Sequence, residues 1–155
     1  MRLTSEVASH TKEVYEGNNW TDVNIADTIN DLSVEEAIAV TPASANSIAA
    51  LLYHLKFYNE VVLQRLNGSA PEISDANGFD LPAFKNESDW TQLKEAVHAS
   101  FIQLADAAIK FNEESLDETT PNGASSYYKT LHGISEHAHY HLGQIVILKK
   151  MIRKK

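Results

Sequence analysis

The chain has 155 residues, of which 43% are hydrophobic, 13 are basic and 21 acidic, giving a net charge of −8 with the histidines neutral. That size and apolar content suit one folded domain over residues 1–155 and exclude a disordered polar chain. The acidic balance sets the average field against a nucleic-acid backbone, and the absence of cysteine excludes disulfides, thiolate metal sites and a cysteine nucleophile.

The N-terminal "MRLTSEVASHTKEVYEG" carries charges throughout and lacks the apolar stretch of a signal peptide. No run approaches 18 apolar residues, so no membrane span is expected, and the cytoplasm is the expected location. A first helix is predicted from about Leu3 to Glu16, ending at Gly17. The connector "WTDVNIADTINDLSVEEAIAV" reads as two short helical turns with Asp22 and Ser33 as N-caps, Ser33 forming a capping box with Glu36. A second long helix runs from about Ser44 to Leu66, with Ile48, Leu51, Leu52, Leu55, Tyr58, Val62 and Leu66 at helical spacing, and stops at Asn67-Gly68.

The stretch from Asn67 to Glu87 is rich in Gly, Pro, Asn, Asp and Ser. A loop that long within a compact domain is often functional, and with Phe79, Asp80 and Phe84 it is a candidate lid or specificity wall, the alternative being a solvated crossover. The third long helix spans about Ser88 to Phe111 with Trp90, Leu93, Val97, Phe101, Leu104 and Ala108 as its stripe, and the fourth about Ala124 to Arg153. The basic "KKMIRKK" suits a helix C-terminus. With no partnered strand in view, the expected fold is all-α: a four-helix bundle, up-down, with a long crossover loop between helices 2 and 3.

The fourth helix contains "SEHAHYHLGQIVIL". Tyr127, Leu131, Ile134, Ala138, Ile145, Leu148 and Ile152 mark one face, and His137 and His141 lie on it, whereas His139 is about 200° round from His137. Histidines at i and i+4 can present two ring nitrogens to one divalent ion. A third ligand has to come from another helix, and His54 faces inward beside Leu51 and Tyr58. Three imidazoles suit Zn²⁺ or Ni²⁺, with iron, manganese and copper as further options, and leave a coordination position open. The competing reading is three separately satisfied core histidines. His10, His98, His132 and His139 read as surface or boundary residues, Glu136 as exposed, and Trp20 and Trp90 as packing residues, the alternative being that they line the mouth of a site.

"NSIAALLYHLKFYNEVVLQRL" (46–66) with "HAHYHLGQIVILKK" (137–150) and the upstream "YEGNNWTDVNIADTI" resembles the DinB-like superfamily. The resemblance implies a four-helix bundle whose metal ligands are His54, His137 and His141, followed by Gly143 and Gln144 of the trailing pattern. Gly143 is expected to permit close approach of another segment, and Gln144 to hydrogen-bond a ligand or a backbone group. Characterised relatives include transferases and isomerases dependent on low-molecular-weight thiols, and others are described as metal-dependent hydrolases. The resemblance thus implies a small-molecule substrate, a catalytic residue not identifiable from the motif, and pairing into a homodimer as one option, while the acidic charge and the lack of a long apolar run set the expectation of no nucleic-acid or membrane partner. The alternative of another class is a non-catalytic metal-binding helical scaffold or dimeric binding module.

Overall fold

The computed structural model describes residues 2–154. It contains six α-helices and, among the described residues, no strand: α1 Leu3–Tyr15, α2 Ile25–Ile29, α3 Val34–Ile38, α4 Ile48–Leu66, α5 Glu87–Lys110 and α6 Tyr127–Arg153, with a single 3₁₀ turn at Glu113–Ser115. Short polar side chains set the starts. Ser33 forms the anticipated capping box with Glu36, and Asn86 forms another with Asp89.

Three boundaries differ from expectation for local reasons. The connector's first turn is capped by Asn24, whose side chain accepts from the Asp27 amide, while Asp22 sits at φ 53°, outside a capping conformation. The second long helix begins at Ile48 because the Ser44 hydroxyl bonds both backbone groups of Asn46, which keeps that segment non-helical and leaves Ser47 as the cap. The last helix begins at Tyr127, capped by Ser126, because Thr120 holds the Ser125 carbonyl in a preceding turn.

The four long helices form a bundle in which α1 and α4 each pack on α5 and α6. Paired residues give the directions. Lys12 meets Asp106 and Tyr15 meets Lys94, so α1 and α5 are antiparallel. Asn59 bonds Ser100, and the clusters group Leu51 and Leu55 with Leu93 and Val97 but Val62 with Leu104 and Ala108, so α4 and α5 run parallel. The order is therefore up, down, down, up, and residues 67–86 return along the length of the bundle. That segment is not a bare solvated strap: Phe79, Leu81 and Phe84 pack onto the core.

The core has two clusters along the bundle axis, and on α6 the division falls between Ile134 and Ala138. Trp90 is fully buried and its indole N–H donates to the Leu32 carbonyl at 2.9 Å, tying α5 to the α2–α3 connector. Trp90→Ala is expected to cost about 3–5 kcal/mol. Trp90→Phe retains most apolar contact but orphans the Leu32 carbonyl, at about 1–3 kcal/mol; chemical denaturation of the two variants checks the order. At the C-terminal end of α6, Arg153 bridges Asp31 and Glu36, and Lys149 reaches Asp31 and the Thr28 carbonyl. The basic end of α6 is thus spent partly on pinning the connector.

Candidate metal centre

Helix periodicity carries His137 and His141 to the same inward face of α6, and antiparallel packing brings His54 of α4 opposite them. Nε2 of His137 lies 3.1 Å from Nε2 of His54 and 3.0 Å from Nε2 of His141. The three ligand atoms all lie within 4.8 Å of one another, and among the described residues no fourth His, Asp or Glu joins the group. Three nitrogens at about 2.05 Å from a tetrahedral ion stand about 3.3 Å apart, close to this spacing.

The hydrogen bonds behind the rings decide what the three nitrogens can do. His54 Nδ1 is 2.8 Å from the Asn77 carbonyl, which only accepts, so the ring proton sits on Nδ1 and Nε2 presents a lone pair. His141 Nδ1 is 2.6 Å from Gln144 Oε1, which imposes the same tautomer, and the Gln144 amide in turn donates to the Tyr140 hydroxyl at 3.2 Å. Two lone pairs therefore converge on His137 Nε2. A proton there can satisfy one of them, and then His137 Nδ1, buried without a hydrogen-bond partner, is left as an acceptor with no donor. A proton on Nδ1 instead leaves three facing lone pairs. Neutral protein groups alone satisfy neither arrangement, whereas a cation at the convergence satisfies all three Nε2 atoms. The donor set fits a borderline divalent transition ion.

The 67–86 segment completes the site's outer wall. Phe79 stacks on His54 with ring centroids 4.0 Å apart, and the Tyr58 hydroxyl donates to the Asn77 side chain. Asn77 and Gly78 lie at φ 50° and 73°, a left-handed pair closed by the Asn77 amide on Ser74 and the Phe79 amide on Ala76. A Cβ on Gly78 would stand 2.5 Å from the Phe57 ring. The loop's backbone thus presses onto α4 just where it supplies a carbonyl to His54.

All three histidines are held below the ordinary histidine range. Burial is the main cause for each; for His137, pushed down to about 4, the neighbouring His141 and His54 add to it. For His54 and His141, the bonds to Asn77 and Gln144 oppose the burial effect. An unfolded chain gains a proton on His137 as the pH falls through about 6.5, and the folded, metal-free chain resists until about pH 4, with His54 and His141 shifted in the same direction. The stabilisation is fully present above about 6.5 and is lost as the pH drops toward 4. Thermal melts of metal-free protein are expected to decline across that window, and less steeply in His137→Gln. The ion-paired Asp31 and Glu36 carboxyls, held low by Lys149 and Arg153, respond further into acid.

The other candidates lie elsewhere. His132 pairs with the exposed Glu136, His98 stacks on Tyr15 and meets Glu16, and His139 bonds the Ser135 carbonyl. Two expectations are corrected. Gly143 does not admit a close neighbour: nothing lies within 4 Å of a Cβ built there. Trp20 neither packs in the core nor lines the site's mouth. It is 97% exposed beside a groove of about 670 Å³ between α1 and α6, whose walls include His10 and His139 and none of the converging histidines. Asn77, Gly78 and Tyr58 were not singled out from sequence as site residues, although the second Asn-Gly of the loop is a turn signal.

A pocket of about 420 Å³ opens beside the histidines between α4 and α6, and His54 and His137 form one end of it. The sequence profile of the DinB superfamily matches residues 20–145, which include all three histidines and Gln144. The chain belongs to the DinB superfamily. A search of curated proteins returned no match. The DinB resemblance carried by His54 and the "HAHYHLGQ" stretch thus extends over most of the chain. No helix among the described residues is long and apolar enough to cross a membrane.

Proposed function

We propose that this DinB-superfamily protein is a divalent-metal-dependent enzyme acting on a small molecule, by transfer of a low-molecular-weight thiol or by hydrolysis. The observation that carries the reading is the convergence of three Nε2 atoms at the end of an open pocket, with no fourth His, Asp or Glu among the described residues. A divalent ion held there supplies Lewis acidity at its open position, lowering the pKa of a water or thiol toward neutrality.

The chain's own residues prepare that chemistry. The Asn77 carbonyl and the Gln144 side chain fix the tautomers of His54 and His141 and hold the rings in register. Phe79 covers the face of His54 and limits water on that side. The burial that holds His137 down to about 4 keeps its ring uncharged at neutral pH, so one ring nitrogen always carries a lone pair. With no cysteine in the chain, any sulfur nucleophile belongs to the substrate. The pocket argues for a catalytic site over a closed structural one, because a structural site has its fourth position filled by protein.

The test is cobalt substitution. Addition of a small thiol or azide to the Co²⁺-loaded protein is expected to alter its visible spectrum and, with a thiol, to produce a sulfur-to-metal charge-transfer band. A thiol-transfer and ester-hydrolysis screen follows on the same preparation. A cobalt spectrum indifferent to every added ligand overturns the open-site reading.

A further inference from the structure

We propose that the pocket between α4 and α6 binds an elongated substrate by an oxyanion, a carboxylate or phosphate, held by Arg65 and Lys129 at the end remote from the histidines. The inference rests on the proposed metal site only for the position of the reacting end. Arg65 follows His54 by 11 residues on α4, and Lys129 precedes His137 by 8 on α6. At 1.5 Å per residue these are about 16 Å and about 12 Å of helix rise. Because α4 and α6 run antiparallel, both displacements point the same way, and both cations line the same cavity as His54 and His137.

The pocket's charge is one-sided. Its walls contain Arg65 and Lys129 and no aspartate or glutamate, in a chain whose net charge is −8. Five other cations face carboxylates, while Lys85 and Lys110 do not: Arg2 meets Glu113, Lys12 Asp106, Lys56 Glu60, and Lys149 and Arg153 meet Asp31. Among the described residues Arg65 and Lys129 have no such partner. Arg65 suits the last turn of α4 by its charge, but its Nε is buried without a hydrogen-bond partner, which the helix dipole does not explain. Lys129 stands in the first turn of α6, where a cation opposes the helix dipole and no acidic residue offsets it. An oxyanion between them offsets the charge of both, with the terminal guanidinium nitrogens and a point charge as donors. The middle of the pocket is apolar on two sides, Val62 and Ile134, and the hydroxyl of Thr130 lies toward the cationic end. Gly133 also lines it, and a Cβ there meets nothing within 4 Å, so side-chain volume at this position enters open pocket space.

Inorganic phosphate and, separately, succinate are titrated into the isotope-labelled full chain as purified and again after chelator treatment, with binding followed by NMR. Saturable shifts are expected at the Arg65 Nε–H and at the amides of Lys129 and Gly133. Affinity is expected to fall about tenfold in Arg65→Gln and in Lys129→Gln, and to stay at the wild-type level in Lys110→Gln. Gly133→Leu, which keeps both cations, is expected to weaken succinate more than phosphate. Unchanged affinity in both cation variants, or shifts confined to other surfaces, overturns the proposal. Metal content is measured on the same samples. Anion binding that persists in a chain unable to hold metal leaves this site standing while the enzyme reading fails; full metal loading with anion affinity indifferent to Arg65 and Lys129 defeats this site alone.

Discussion

Elemental analysis of protein purified without chelators or histidine-affinity resin is expected to find about one divalent ion per chain. His54→Ala, His137→Ala and His141→Ala are each expected to lose it, with affinity down at least ~100-fold, because each removes one of three converging Nε2 atoms. His139→Ala is the control, since its ring bonds the Ser135 carbonyl and does not join the group. Gln144→Ala is expected to fall between these limits, about 10–100-fold weaker, because it frees the His141 tautomer without removing a ligand. Metal-free wild-type protein that takes up neither Zn²⁺ nor Ni²⁺ on incubation would sink the metal site. The convergence of lone pairs would then need another cation, a proton shared among the three rings.

Gly78→Ala is expected to weaken metal binding by about 10–100-fold without touching a ligand. Two effects act together at this position. A side chain at φ 73° costs roughly 1–2 kcal/mol, and the added Cβ would collide with the Phe57 ring at 2.5 Å. Relief requires the loop to lift, and lifting withdraws the Asn77 carbonyl from His54 and Phe79 from the His54 face. Gly68→Ala is the matched control: its φ is 82°, but nothing lies within 4 Å of its Cβ, so it carries the backbone penalty without the collision. Competition with a chromophoric chelator measures both variants. Equal affinity for Gly78→Ala and wild type would show that the loop does not hold His54.

The helices and the three histidines were legible in the sequence for the same reason. Local periodicity reports which face of a helix is buried, and His137, His141 and His54 each lie in phase with apolar neighbours. The capping box at Ser33 was legible because both of its partners lie within four residues. The hold on His54 was not, because the Asn77 contribution is a backbone carbonyl and any residue type carries one. Gly143 misled because a glycine's sequence does not distinguish close approach from open surface. Trp20 misled because a large aromatic is usually buried, and only the path of the connector leaves this one outside.

The sequence by itself determined the all-helical class, the inward faces of α4 and α6, and the identity of the three imidazoles, since each depends on residues within a few turns of one another. The length of the 67–86 segment suggested a crossover, but only the tertiary structure decided that it doubles back across His54 and that Arg65 and Lys129, 64 positions apart, line one cavity. Those facts depend on which helix packs on which and in what direction. That is settled by the summed burial of whole faces, and no local pattern encodes it.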